Sequence, residues 1–122
     1  MPGTTVADPE LPEGCRRVVD GLLEPDEGVW AVIRGRDGTT LVGTDHRLFA
    51  LEDDCAEEHV RVWPYWQLDD LRVVGSSILV RARADRRQLV TLPTSQERRE
   101  QTLQGVTIVE LLIARHGRSR TI

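Results

Sequence analysis

The stretch "VWAVIRGRDGTTLVGTDHRLFAL", residues 29–51, decides the fold: its apolar residues recur at the period of strands, and two short polar breaks divide it into three. Asp37-Gly38 supplies the first break. A two-residue loop of type I′ needs positive φ at both central positions, which suits Asp-Gly and pairs Arg36 with Thr39 and Ile33 with Val42. Asp45-His46 supplies the second, pairing Thr44 with Arg47 and Val42 with Phe49. These registers put Val29, Ala31, Ile33, Val42, Phe49 and Leu51 on one face. The other face carries Trp30, Val32, Leu41 and Leu48, so the sheet is apolar on both sides and needs a second cover: a helix, a partner subunit or a ligand.

Upstream, in "EGCRRVVDGLLEP", the apolar Cys15, Val18, Val19, Leu22 and Leu23 fall at helical spacing, and Pro25 ends the helix they predict. Before it, residues 1–12 hold three prolines among small polar residues and are expected to be a flexible tail. Downstream, "HVRVWPYWQL", "LRVVG", "SILVRARA" and "QLVTL" are four short extended segments at nearly even spacing, the pattern of a small sandwich or barrel. A helix then closes the chain. Thr94 and Glu97 fit a capping box, Leu103, Val106, Val109, Leu112 and Ile113 make its stripe, and Gly117 is a natural stop. The expected organisation is one domain over 13–117, between a tail at 1–12 and another at 118–122.

With 122 residues the chain is sized for one core. Sixteen basic residues, all arginine, are outweighed by twenty acidic ones, and a net charge of −4 argues against a nucleic-acid binder and does not favour contact with anionic membranes. The first residues have no positive region followed by an apolar run, so no secretion signal is expected and the protein reads as cytoplasmic. Two cysteines, Cys15 and Cys55, lie far apart outside any metal or redox motif, and are expected to be free thiols in a reducing cytosol.

The order of seven strands and a terminal helix resembles that of the bacterial pleckstrin-homology-like domains, and three stretches carry the likeness. "LLEPDEGVWAVIRG" at 22–35 is similar to that family's leucine-rich lead-in and first strand. "LVGTDHRLFAL" at 41–51 contains the Thr-Asp-x-Arg-Leu step of Thr44, Asp45, Arg47 and Leu48, and "WPYWQLDDLRVVGSSILV" at 63–80 resembles the proline-aromatic segment and the strand after it. The resemblance implies a mainly β, seven-stranded sandwich or barrel closed by a C-terminal helix, with an added N-terminal helix. It makes "GTDHR" the tight turn between strands two and three. It also implies a non-catalytic module used for binding or assembly through protein contacts, self-association included, without a cofactor.

Searching the residues for chemistry finds no catalytic spacing, no phosphate-binding glycine loop and no metal-ligand set. His46, His59 and His116 fall in a turn, at a strand start and near a helix end, where His116 suits the negative end of the dipole. Arg47 is expected to lay its stem on the sheet and pair its head with a carboxylate. Two basic groups are candidate anionic-ligand residues: Arg34 and Arg36 beside the first turn, and Arg81 and Arg83, on one strand face of the "RARADRR" hairpin. They give the alternative reading, a phospholipid or anionic-ligand module; a small enzyme is the second alternative. The second strand begins Thr39-Thr40-Leu41 and supplies no basic partner, which argues against specific phosphoinositide binding. For protein contacts the candidates are Trp30 and Leu48, on the surplus sheet face through which a homo-oligomer would form, and Trp63. Alternation that buries Val60 and Val62 sends Trp63 to the opposite face, exposed beside Pro64.

Overall fold

A computed structural model describes residues 11, 13–94 and 96–120, with side chains through 116. Helix α1 (Glu13–Leu22) leads into β1 (Val29–Arg34), β2 (Thr40–Thr44), β3 (Arg47–Leu51) and β4 (Arg61–Pro64). After these come β5 (Leu68–Val74), β6 (Ser77–Ala82), β7 (Gln88–Pro93) and helix α2 (Arg99–Arg120). The seven strands form two antiparallel meanders, a four-stranded sheet in the order β1-β2-β3-β4 and a three-stranded sheet in the order β5-β6-β7. These are two packed sheets rather than a closed barrel. No described helix is long and apolar enough to cross a membrane.

The two hairpins of the first sheet part company with the sequence in an instructive way. Between β2 and β3 the expected register holds, with Val42 opposite Phe49 and Gly43 opposite Leu48. Between β1 and β2 it is one residue off: Ile33 faces Leu41, Arg34 faces Thr40, and the Gly35 amide donates to Thr39 O at 2.7 Å. The loop therefore holds Arg36, Asp37 and Gly38, with Gly38 alone at positive φ (+93°), a type I turn followed by a left-handed glycine. A one-residue slip moves every side chain of a strand to the other face. Ala31 and Ile33 accordingly join Leu41, Leu48 and Ala50 in the core between the sheets, whereas Val32, Val42, Phe49 and Leu51 face outward.

That outer face is covered by α1. Cys15 and Val19 are buried on it, together with Leu11, so at least this residue of the expected 1–12 tail packs; residues 1–10 and 12 lie outside the described part. Cys15 and Cys55 are joined in a disulfide, their Cα atoms 4.9 Å apart, which fastens α1 to the loop after β3. The expectation of two free thiols is thereby corrected. Because disulfides persist in oxidising surroundings, these cysteines lend no support to a reducing cytosol.

α2 lies against β1 and β5. Its buried row is Thr102, Val106, Val109 and Ile113, and Gly105 sits so close to β1 that an added Cβ would stand 2.6 Å from Ile33 Cγ1. Leu103, expected in this row, is instead 42% exposed. Nor does the expected capping box form: the Thr94 hydroxyl donates to Ser76 O at 3.1 Å, and a short 3-10 turn at Gln96–Arg98 precedes the helix. The helix also passes through Gly117 to Arg120, beyond the boundary expected at 117.

Candidate functional site

The Thr44–Arg47 turn is a joint, and its polar atoms are committed to holding the first sheet together. Asp45 accepts the Gly28 amide on one carboxylate oxygen at 2.6 Å and the Trp30 indole N–H on the other. Thr44 Oγ1 accepts from the amides of His46 and Arg47, each at 3.2 Å. Arg47 grips Glu27 with two bonds, Nε to Oε2 at 3.0 Å and Nη2 to Oε1 at 2.8 Å, donates to Leu22 O at 2.8 Å, and stands over the Phe49 ring at 5.0 Å. The expected pairing of Arg47 with a carboxylate thus has a named partner. The Tyr65 hydroxyl, fully buried, donates to Thr44 O at 2.7 Å, and burial pushes its phenol far up.

Glu27 has the most displaced carboxyl of this joint. Burial pushes it up, but hydrogen bonds from Arg47, Thr44 and the Glu24 amide outweigh burial and hold it at about 2 instead of 4.5. A carboxyl whose folded value lies below its unfolded one stabilises the fold above the unfolded value, and that stabilisation disappears as pH falls through the folded one. Up to about 3 kcal/mol should therefore drain away between about pH 5 and pH 2, because each tenfold change in proton affinity is worth about 1.36 kcal/mol. Urea midpoints followed across that range should fall steeply, and Glu27→Gln should flatten the acid slope. An unchanged slope in that variant would assign the acid sensitivity elsewhere.

Beside the joint, a hollow of about 330 Å³ is lined by Asp26, Trp30, Asp45, His46, Leu112, Arg115 and His116. His116 is not a free helix-end charge, because α2 continues past it and its Nε2 meets Asp45 O at 2.9 Å. With Asp45 and His116 so engaged, this hollow belongs to the joint. Among the described residues no group of three or more His, Cys, Asp or Glu is placed to hold a metal ion.

A second cleft has a different character. It opens where β4, the last strand of its sheet, comes beside β7, the last of the other; the two edges are bridged by Arg61 Nη1 donating to Leu89 O at 3.1 Å. About 450 Å³ in volume, it is lined by Trp63, Trp66, Gln67, Ala82, Arg83, Ala84, Asp85, Arg87 and Leu89. Pro64 ends β4 and the chain turns through a short 3-10 segment, Tyr65–Gln67, which sends Tyr65 inward and leaves Trp66 43% exposed. Trp63 leans on the core from the cleft side, opposite Leu48, with the Arg61 guanidinium 5.7 Å from its ring centre. Its neighbour Val62 points the other way and is 38% exposed, so the expectation of a buried Val62 and an exposed Trp63 is reversed: the two alternate, but Trp63 takes the inner side. The far wall is the β6–β7 hairpin, tied by Ala82 N to Arg87 O at 2.8 Å and by Arg83 N to Gln67 O at 2.8 Å.

The candidate residues divide sharply. Arg83 lines this cleft with Trp63, and Arg87, of the same arginine-rich hairpin, and Trp66, of the same aromatic segment, complete it, although the sequence makes neither a candidate site residue. Arg81 is elsewhere: β6 ends at Ala82, so Arg83 stands past the strand, whereas Arg81 is on it and is held by Asp70 at 2.9 and 3.0 Å and by Asp69 at 3.6 Å. The expected shared face of Arg81 and Arg83 does not exist. Arg34 and Arg36 stand at the β1–β2 turn and do not line the cleft. Leu48 is fully buried between the sheets and is withdrawn as a surface residue; Trp30 is 38% exposed. The Arg83 and Arg87 side chains enter no ion pair among the described residues, so the cleft presents uncommitted positive charge over an aromatic floor.

Comparison of the chain with protein-family models, with curated proteins and with solved structures finds no match.

Proposed function

We propose that this chain is a non-catalytic, pleckstrin-homology-like binding module that takes an acidic segment of a partner protein into the cleft between Trp63 and Arg87. Its fold reading is supported by the four-plus-three strand order followed by a helix, together with the Thr44-Asp45-x-Arg47-Leu48 turn. The observation that carries the functional reading is the pairing of two tryptophans with two arginines that enter no ion pair among the described residues, at the meeting of two edge strands. Tryptophan and arginine are the side chains in which interface energy concentrates, the first by burying large area and the second by bidentate bonds to carboxylates. An extended segment with carboxylates on one side and a large apolar residue on the other matches both. The overall charge of −4 does not oppose this, since Debye screening confines attraction to the few arginines at the cleft.

Exposed Trp66 beside Arg83 and Arg87 also favours a second reading, an anionic lipid surface. Titrating the protein with an array of acidic peptides, each carrying one Leu, Phe or Trp, and separately with phosphatidylserine vesicles, separates the two. We expect saturable peptide binding that Arg83→Glu/Arg87→Glu weakens at least about tenfold, with charge-assisted bonds worth about 1.5–3 kcal/mol each. Binding to vesicles but to no acidic peptide would replace our reading with the lipid one. No binding to either would end both.

A further inference from the structure

We infer that a second copy of this chain is a partner of the cleft, its acidic loop after β3, residues 52–58, docking between Trp63 and Arg87 of the first. This rests on the cleft reading above and names one occupant for it. The loop reads "EDDCAEE", the densest run of carboxylates in the sequence, and Glu52, Asp53, Asp54, Glu57 and Glu58 are all exposed. Asp54 is engaged within the loop, by the Ala56 amide at 3.0 Å and by His59 at 2.9 Å. The other four carboxylates enter no ion pair among the described residues, as is true of Arg83 and Arg87 in the cleft. One patch thus carries unmatched negative charge and the other unmatched positive charge, and each is the electrostatic complement of the other.

Within one chain the two patches form no ion pair with each other. Cys55 ties the loop to Cys15 of α1, which covers the outer face of the first sheet, whereas the cleft opens where Trp63 takes the inner side of β4. The disulfide also helps to hold the loop in a fixed shape, together with the bonds from Cys55 N to Glu52 O at 2.9 Å and from His59 N to Ala56 O at 3.0 Å. Little ordering therefore opposes docking. The loop offers the two tryptophans no large apolar residue, so a second copy should bind more weakly than an acidic segment that carries one. Because loop and cleft are different patches, the contact repeats from chain to chain or closes a ring. The surplus outer sheet face, by contrast, is unavailable for association, being covered by α1.

Sedimentation velocity over a concentration series in about 50 mM salt should report particles heavier than one 13.8 kDa chain, reverting to single chains in about 500 mM salt, where the Debye length falls to about 4 Å. Arg83→Glu/Arg87→Glu and Glu57→Arg/Glu58→Arg, all at exposed positions, should each weaken association at least about tenfold while circular dichroism keeps its shape. Mixing the two variants should restore association, because each reversed patch then meets its complement. A single chain at every concentration in low salt, association indifferent to either reversal, or a mixture that stays monomeric would each overturn the inference. Peptide titration separates its failure from that of the cleft reading: a monomer whose cleft still binds acidic peptides ends only the self-contact, and a monomer that binds none ends both.

Discussion

Arg47→Ala should cost about 3–5 kcal/mol in urea unfolding, because it strands a buried carboxylate. Glu27 has no exposed side-chain surface, and Arg47 supplies two of its hydrogen bonds. Removing the guanidinium also leaves Leu22 O without the donor that ties the end of α1 to the first sheet, and takes the cation from above Phe49. Domains of this size are stable by only about 5–15 kcal/mol, so the variant will sit near the edge of folding and is best measured in the cold. Adding Glu27→Gln should recover part of the loss, since the stranded charge is then gone, and the double-mutant cycle should show a coupling of more than about 1 kcal/mol. A cost below about 1 kcal/mol for Arg47→Ala alone would mean that water reaches Glu27.

Phe49→Ala is expected to be as damaging, at about 3–5 kcal/mol, by a different route. Phe49 is fully buried beneath α1, among Val19, Val32, Val42 and Leu51. The cavity left cannot be filled by the helix moving inward, because the Cys15–Cys55 disulfide fixes one end of it. The loss should appear in both thermal and urea unfolding, with no acid dependence of its own, which distinguishes it from the Arg47 variant. A melting temperature within about 2 °C of the parent would show that Phe49 faces open space and that the register of β2 and β3 is wrong.

These two residues belong to the part of the fold that the sequence made legible. The Thr44–Arg47 turn was readable because a polar break of fixed length sat between two apolar runs, and both flanks agreed on one register. Asp37-Gly38 was less decisive: the same dipeptide serves a two-residue loop with both residues left-handed and a three-residue loop with only Gly38 so, and the slip of one residue exchanged the two faces of β1. Trp30 and Leu48, expected on one face, part in consequence: Leu48 faces the core with Ala31 and Ile33, and Trp30 is left exposed at the β1 bulge. The disulfide left no trace in the sequence, since cysteines forty positions apart meet only through the packing of α1 on the sheet. The cleft was half legible. Trp63 and Arg83 stood out singly, by a proline and by a run of arginines; that they share a wall with Trp66 and Arg87 follows from two strand edges meeting across sheets, which no local pattern encodes. Leu103 escaped the core stripe because a helix of this length offers apolar residues on two sides, and spacing alone does not say which side the sheet takes.

The most direct measurement of the binding reading uses the three tryptophans as reporters, each giving one indole N–H signal in a nitrogen–proton correlation spectrum. Trp63 and Trp66 line the cleft, whereas the Trp30 indole is held by Asp45 at the joint. On titration with the tightest acidic peptide, the Trp63 and Trp66 signals should shift together and saturate while Trp30 stays still, and Arg83→Glu/Arg87→Glu should abolish the shifts. Movement of Trp30 alone, or no movement of Trp63 and Trp66 while the peptide is demonstrably bound, would contradict the account.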